Sequence, residues 1–130
     1  MSQENQSNKV DFEVRVEPVD LELFIDEKQI SQILINLTKN AFQSLKNNDA
    51  GKIVITTGNS QAGKKYIKVD DNGPGIPDDL MDKIFVPFFT TKAAGSGIGL
   101  SISRQIMQMH GGNLKIVSIP HKSTKAILSF

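Results

Sequence analysis

A chain of 130 residues with 15 Lys+Arg against 14 Asp+Glu carries a formal net charge of +1, which excludes the concentrated basic surface of a protein built mainly to bind nucleic acid. Its 38% hydrophobic and 22% charged content and its length fit one compact globular domain. The absence of cysteine excludes disulfides and thiolate zinc sites. No apolar run approaches the roughly 20 residues of a membrane span, and the N-terminus lacks a basic-then-apolar secretion signal, so the expected compartment is the cytoplasm, as a free domain or as part of a longer, membrane-tethered protein.

Residues 1–9 are polar and read as a flexible leader before a folded domain over 10–130. Phe12, Val14 and Val16 alternate with Glu13 and Arg15, the pattern of a strand. Residues 21–25 form a second candidate strand. Asp26 then caps a helix, with Glu27 in its first turn, running to about Lys46. Ile30, Ile33, Leu34, Leu37, Ala41 and Leu45 recur at helical spacing and form its core face. Gln32, Asn36, Asn40, Gln43 and Asn47 lie beside them at roughly 100° per residue. Polar amides on the shoulder of a buried face predict a helix that borders a pocket.

Residues 47–51 read as a loop. Residues 53–57 and 66–69 read as strands joined by a turn over 58–63. Two glycines and two prolines exclude regular structure over 71–77. Residues 78–84 suit a short helix, and 86–96 have neither helical nor strand pattern and are expected to be mobile. Residues 100–109 predict a helix with Ile102, Ile106 and Met109 on one side, stopped by His110-Gly111-Gly112. Residues 114–119 and 125–130 predict a closing hairpin. The expected fold is α+β, a two-layer sandwich: a mixed, mostly antiparallel sheet covered on one face by about three helices.

Four short blocks carry chemistry. In Asn36-Leu37-Thr38-Lys39-Asn40-Ala41, two amides stand four apart on one helix face, and an amide oxygen is a neutral hard ligand suited to one position on a hydrated Mg²⁺. The plain alternative is that they bond solvent or a neighbouring loop. In Asp71-Asn72-Gly73-Pro74-Gly75-Ile76, a carboxylate in a partly buried turn can accept from an exocyclic amine, which tells adenine from guanine, while the glycines let backbone approach the base. The same residues are also good turn chemistry. Phe85-Val86-Pro87-Phe88-Phe89-Thr90-Thr91-Lys92 borders the mobile stretch; its phenylalanines could latch a lid, with Lys92 reaching terminal phosphates, or could be plain core beside a solvated charge. Gly95-Ser96-Gly97-Ile98-Gly99-Leu100 opens a helix whose free N–H groups suit phosphate. It is no P-loop, because no Lys-Ser or Lys-Thr follows the last glycine; a flexible linker is the dull reading. His110 reads as a helix-end residue interacting with the last carbonyls, and His121 as a hairpin-turn residue; neither is assigned a catalytic role.

In this order, the four blocks and His110-Gly111-Gly112 resemble the ATP-binding catalytic domain of bacterial sensor histidine kinases, within the larger group that includes gyrase, Hsp90 and MutL-type ATPases. The likeness covers residues 12–130. It implies the Bergerat fold, with ATP and Mg²⁺ as ligands. By motif position, Asn40 would hold Mg²⁺, with Asn36 and Lys39 also facing the nucleotide. Asp71 would accept from the adenine amine, and Gly73 and Gly75 would shape the base pocket. Lys92 on the lid would contact phosphate. Gly95, Gly97 and Gly99 would form the lid hinge and the phosphate-facing helix start, and Ile76, Phe85, Thr91, Ser96, Ile98 and Leu100 would complete the implied ATP-binding set.

Two departures matter. Hydrolytic members carry a glutamate where this chain has Asn36, and an amide is no general base, so the resemblance implies phosphoryl transfer in place of hydrolysis. Many histidine kinases carry a cation and a tyrosine where this chain has Gln43 and Ser44. The family's phosphoacceptor segment does not occur here. The implied role is therefore to hold ATP for attack by a histidine on dimerisation/phosphoacceptor helices, in the same polypeptide or in trans, ahead of a response regulator receiver domain. The domain itself is expected to be monomeric, without autophosphorylation and without nucleic-acid or membrane contact. An anti-sigma-type serine kinase or binding module is the alternative, and a gyrase- or MutL-type ATPase a third.

Overall fold

The protein is described from a computed structural model that covers residues 10–16, 25–46, 50–60, 63–89 and 99–130. Among the described residues five strands form one open sheet: β1 (Asp11–Val16), β2 (Lys52–Asn59), β3 (Lys65–Asp71), β4 (Asn113–Ile119) and β5 (Ser123–Ser129), in the spatial order β1-β2-β3-β5-β4. β1 runs parallel to β2 and every other pairing is antiparallel, so the sheet is mixed and mostly antiparallel as expected. Two helices, α1 (Glu27–Ser44) and α2 (Gly99–Met109), share its buried face. The strand expected over 21–25 falls outside the described residues except for Ile25, which lies in a bend before α1. No helix among the described residues is long and apolar enough to cross a membrane.

The sequence predicts α1 well because its local signals agree. Asp26 is extended at φ −79°, and its Oδ1 accepts the Gln29 N–H at 3.2 Å, satisfying a donor that helix geometry leaves over. Ile30, Ile33, Leu37, Ala41 and Leu45 are all buried. Across from them, period-2 alternation turns Ile67, Val69 and Asp71 of β3 inward. The register seats Val69 between Ile55 and Ala126, and Asp71 between Ile53 and Thr124. At the β1 edge, Phe12 stacks on Phe42 of α1 with ring centroids 6.1 Å apart. On the opposite face of the same strand Arg15 donates to Glu13 and holds its carboxyl below the usual carboxylate range, an exposed contact of little energetic weight.

Leu128 is fully buried between the helices and the sheet. Leu128→Ala is expected to cost about 2–5 kcal/mol, the range for a leucine cavity that cannot collapse. Urea unfolding at one temperature measures it; a loss below about 1 kcal/mol would mean that the core refills.

Two expectations are corrected. The helix expected over 78–84 is a single 3-10 turn, Asp78–Leu80, followed by further i→i+3 bonds from Met81 to Asp78, Lys83 to Leu80, Val86 to Lys83 and Phe89 to Val86. Pro77 and Pro87 bracket a stretch too short to repay α-helix nucleation, and it settles into successive tight turns. In α2 the buried residues are Ser103 and Met107, with Leu100 and Ile106 packed beside them. Ile102 and Met109, expected on the core side, are 43% and 71% exposed. Apolar residues cover a broad arc, about half of the helix circumference at ~100° per residue, and only part of it meets the core, so periodicity leaves the exact rotation open. Close contacts at its ends, at Gly99 and at Gly112, set it instead.

Candidate functional site

The site begins where β3 ends. Asp71 is 7% exposed, and its Oδ1 accepts the Gly73 N–H at 2.9 Å, which folds the chain back at once. A Cβ at Gly73 would stand 2.8 Å from Ser44 Oγ and 2.9 Å from Asp71 Oδ1, so a larger residue would have to displace both side chains for this turn to lie against the end of α1. Ser44 Oγ in turn donates to the Ala41 carbonyl at 2.8 Å. Asn72 fastens the outside of the turn: it accepts from the Lys52 N–H at 2.7 Å and donates to the Ala50 carbonyl at 2.9 Å.

Past the turn the chain is tied to the β4–β5 hairpin. Gly75 has φ +73°, and the Ile76 N–H donates to Ser118 Oγ at 2.6 Å. The His121 N–H donates to the Pro74 carbonyl at 2.5 Å, with His121 itself at φ +66°. His121 thus lies in a turn, as expected, and holds the edge of the site by its backbone. Ile76 is half-buried.

A second part of the site lies about two helical turns away along α1. Gly99, the first residue of α2, rests on Asn36 of α1: a Cβ there would stand 2.5 Å from Asn36 Oδ1 and 2.6 Å from Nδ2. Asn36 Nδ2 is buried with no hydrogen-bond partner among the described residues, an orphaned donor at the start of a helix. Asn40, half-buried, follows one turn later, and Ser44 one turn after that. One stripe of α1 therefore joins the two parts, with Asn36 against Gly99 at one end, Ser44 against Gly73 at the other, and about 12 Å between them at ~1.5 Å per residue.

Other residues expected at the site are placed as follows. Leu100 packs partly buried against the core, whereas Lys39 and Gln43 are exposed on α1. Phe85 packs on the core, with the Arg104 guanidinium of α2 4.4 Å above its ring centre. Phe88, in contrast, is 77% exposed with φ +68°, so it latches nothing among the described residues. Thr91, Lys92, Gly95, Ser96, Gly97 and Ile98 lie outside the described residues.

Sequence reasoning passed over Ser118 and Arg104 and read Asn72 only as turn chemistry. Asn72 had a signal, since an asparagine before glycine at a strand end is good turn chemistry. Ser118 and Arg104 had none, because their partners lie 42 residues away for Ser118 and on a separate element for Arg104. Among the described residues no group of three or more His, Cys, Asp or Glu could hold a metal. The amide oxygens of Asn36 and Asn40 suit an ion that keeps water and phosphate oxygens around it.

The family model for histidine kinase-, DNA gyrase B- and HSP90-like ATPases matches residues 25–130. The chain is 37% identical over 118 residues to sensor histidine kinase ZraS of Escherichia coli (strain K12), covering 91% of this chain and 25% of that protein. It is 37% identical over 115 residues to sensory histidine kinase/phosphatase NtrB of Vibrio alginolyticus, covering 82% of this chain and 33% of that one. It therefore spans only a minor part of these relatives. Among solved structures, the nucleotide-free catalytic domain of histidine kinase ThkA superposes with a TM-score of 0.81 at 35% identity, over 99% of this chain and 84% of that chain. ThkA in complex with the response regulator TrrA superposes with a TM-score of 0.77 at 34% identity, over 99% of this chain and 36% of that chain.

Proposed function

As the chain belongs to the family of histidine kinase-, DNA gyrase B- and HSP90-like ATPases, as the ATP-binding catalytic domain of a histidine kinase, we propose that it binds ATP with Mg²⁺ and presents the γ-phosphate to a histidine on separate dimerisation/phosphoacceptor helices. The observation that carries this reading is the α1 stripe: Asn36, Asn40 and Ser44 span the distance from the Gly99 helix start to the buried carboxylate of Asp71. A nucleotide laid along that stripe has its base at Asp71 and its phosphates at Asn40 and the start of α2.

Each residue then has a defined task. Asp71 accepts from the adenine amine, and the carbonyl that guanine carries at that position would meet the carboxylate with repulsion. The backbone N–H groups at the start of α2 face phosphate oxygens, favoured by the helix dipole. When bound, Mg²⁺ would neutralise charge on the terminal phosphates, with the Asn40 amide oxygen among its ligands. Asn36 offers no proton acceptor for water, so catalysis is positioning and charge neutralisation, and the nucleophile arrives with the partner. ThkA bound to a response regulator supports a receiver domain as the later acceptor of the phosphoryl group.

Calorimetric titration with ATP and GTP, with and without Mg²⁺, tests the pocket. ATP should bind and GTP should not. Asn40→Ala should lower ATP affinity in Mg²⁺ by about tenfold, the effect of one charge-assisted contact, and leave little Mg²⁺ dependence. Adding the phosphoacceptor helices in trans should yield acid-labile phosphohistidine, while the chain alone turns over negligible ATP. Absence of transfer to any supplied helix pair, with ATP binding intact, would reject the kinase role.

A further inference from the structure

Away from the pocket, the two helices meet a second time. His110 directly follows α2, and its Nδ1 lies 2.9 Å from the Ile106 carbonyl oxygen. Its Nε2 accepts the backbone N–H of Asp26 at 3.0 Å, across 84 residues of sequence. A backbone N–H can only donate, so Nε2 carries no proton. The one proton of the neutral ring then sits on Nδ1 and donates to Ile106, and a single tautomer satisfies both bonds.

Asp26 is the N-cap of α1. One imidazole therefore ties the end of α2 to the beginning of α1, while Gly99 at the other end of α2 rests on Asn36. The ring's own backbone has little freedom. Gly111 turns at φ +73°, the Gly112 N–H donates to the Met107 carbonyl at 2.9 Å, and a Cβ at Gly112 would overlap the Ser129 carbonyl. Sliding α2 along α1 would thus break the Asp26 bond and shift Gly99 off Asn36 together.

We propose that His110, as the neutral Nδ1–H tautomer, is a positioning residue: it sets where α2 lies along α1, and so how closely the start of α2 approaches Asn36 and Asn40. The inference rests on the nucleotide reading of that site. Protonation would place a second N–H opposite the Asp26 N–H and end the bond. On α1 the carboxylates next in sequence to the bonded N–H are Asp26, whose Oδ1 accepts from Gln29, and Glu27 in the first turn. The last turn of α2 holds no basic residue, and the segment that follows through Asn113 is uncharged.

Long-range ¹H–¹⁵N spectra of the wild-type domain should show His110 protonated at Nδ1 and bare at Nε2. ATP titration of the wild type, His110→Gln and His110→Ala is compared between about pH 8 and about pH 5.5, the interval over which a histidine can act as a switch. His110→Ala should bind ATP about fivefold more weakly than the wild type at the upper end, the effect of one net hydrogen bond, and approach the wild type once the ring is protonated. His110→Gln, whose amide oxygen replaces Nε2 as acceptor, should bind as the wild type at the upper end and lack the wild type's extra loss at the lower end. An Nε2–H tautomer, or wild-type affinity in His110→Ala at the upper end, overturns the proposal. If the wild type binds no ATP at any pH, the nucleotide reading falls, and the tautomer still decides whether the clasp exists.

Discussion

Asp71→Asn is expected to weaken ATP binding by about tenfold to a hundredfold while leaving the domain folded; a hydrogen bond to a charged group carries this much free energy. The substitution is nearly isosteric. Its remaining oxygen can keep the 2.9 Å bond from the Gly73 N–H, so the turn that carries Gly75 and Ile76 survives. What changes is the second oxygen, which becomes an NH₂ group. An adenine amine arriving there would meet a donor in place of an acceptor, in a position only 7% exposed, where water cannot make up the loss. Calorimetry gives the affinity and thermal unfolding shows whether the fold persists. Retained affinity in a folded variant would remove Asp71 from base recognition and place the nucleotide elsewhere.

Gly75→Ala should destabilise the domain by about 2–4 kcal/mol, adding the cost of a left-handed side chain to that of an overpacked contact, and should abolish ATP binding. Gly75 sits at φ +73°, and a Cβ there would stand 2.6 Å from the Ile119 carbonyl oxygen and 2.8 Å from Ser118 Oγ. The first of these atoms is backbone in β4 and cannot swing aside. Relief requires the turn to part from the hairpin, which breaks the Ile76–Ser118 and His121–Pro74 bonds. Gly63→Ala is the matched control: its φ is +79°, but no atom lies within 4 Å of the added Cβ. It should cost only about 1 kcal/mol, from strain alone. Equal losses in urea unfolding of the two variants would show that the contact with β4 does not hold the turn.

Much of the site was legible because its signals are local. Asp26 announces α1, and the spacing of Ile30, Ile33, Leu37 and Ala41 gives its buried face. The same periodicity puts Asn36 and Asn40 on the shoulder of that face. Glycines at 73 and 75 mark a turn that no strand could continue, and alternation in β3 carries the inward face on to Asp71. Where local signals were mixed, the reading slipped. A broad apolar arc on α2 left its exact rotation undetermined, and Ile102 and Met109 turned out exposed. Residues 78–84 had helical composition but too little length between prolines to form more than a 3-10 turn.

Backbone propensity and side-chain period, acting over a few residues, thus sufficed for most element types, the family likeness and the placement of Asn36, Asn40 and Asp71. Which distant residues meet was decided by the assembled sheet. Pairing β5 between β3 and β4 brings Ile119 and Ser118 to the turn after Asp71, and packing both helices on one face brings Gly99 to Asn36 and His110 to Asp26. These contacts join segments tens of residues apart. They depend on strand order, register and the closeness that glycine permits, and no periodicity within a single element encodes them.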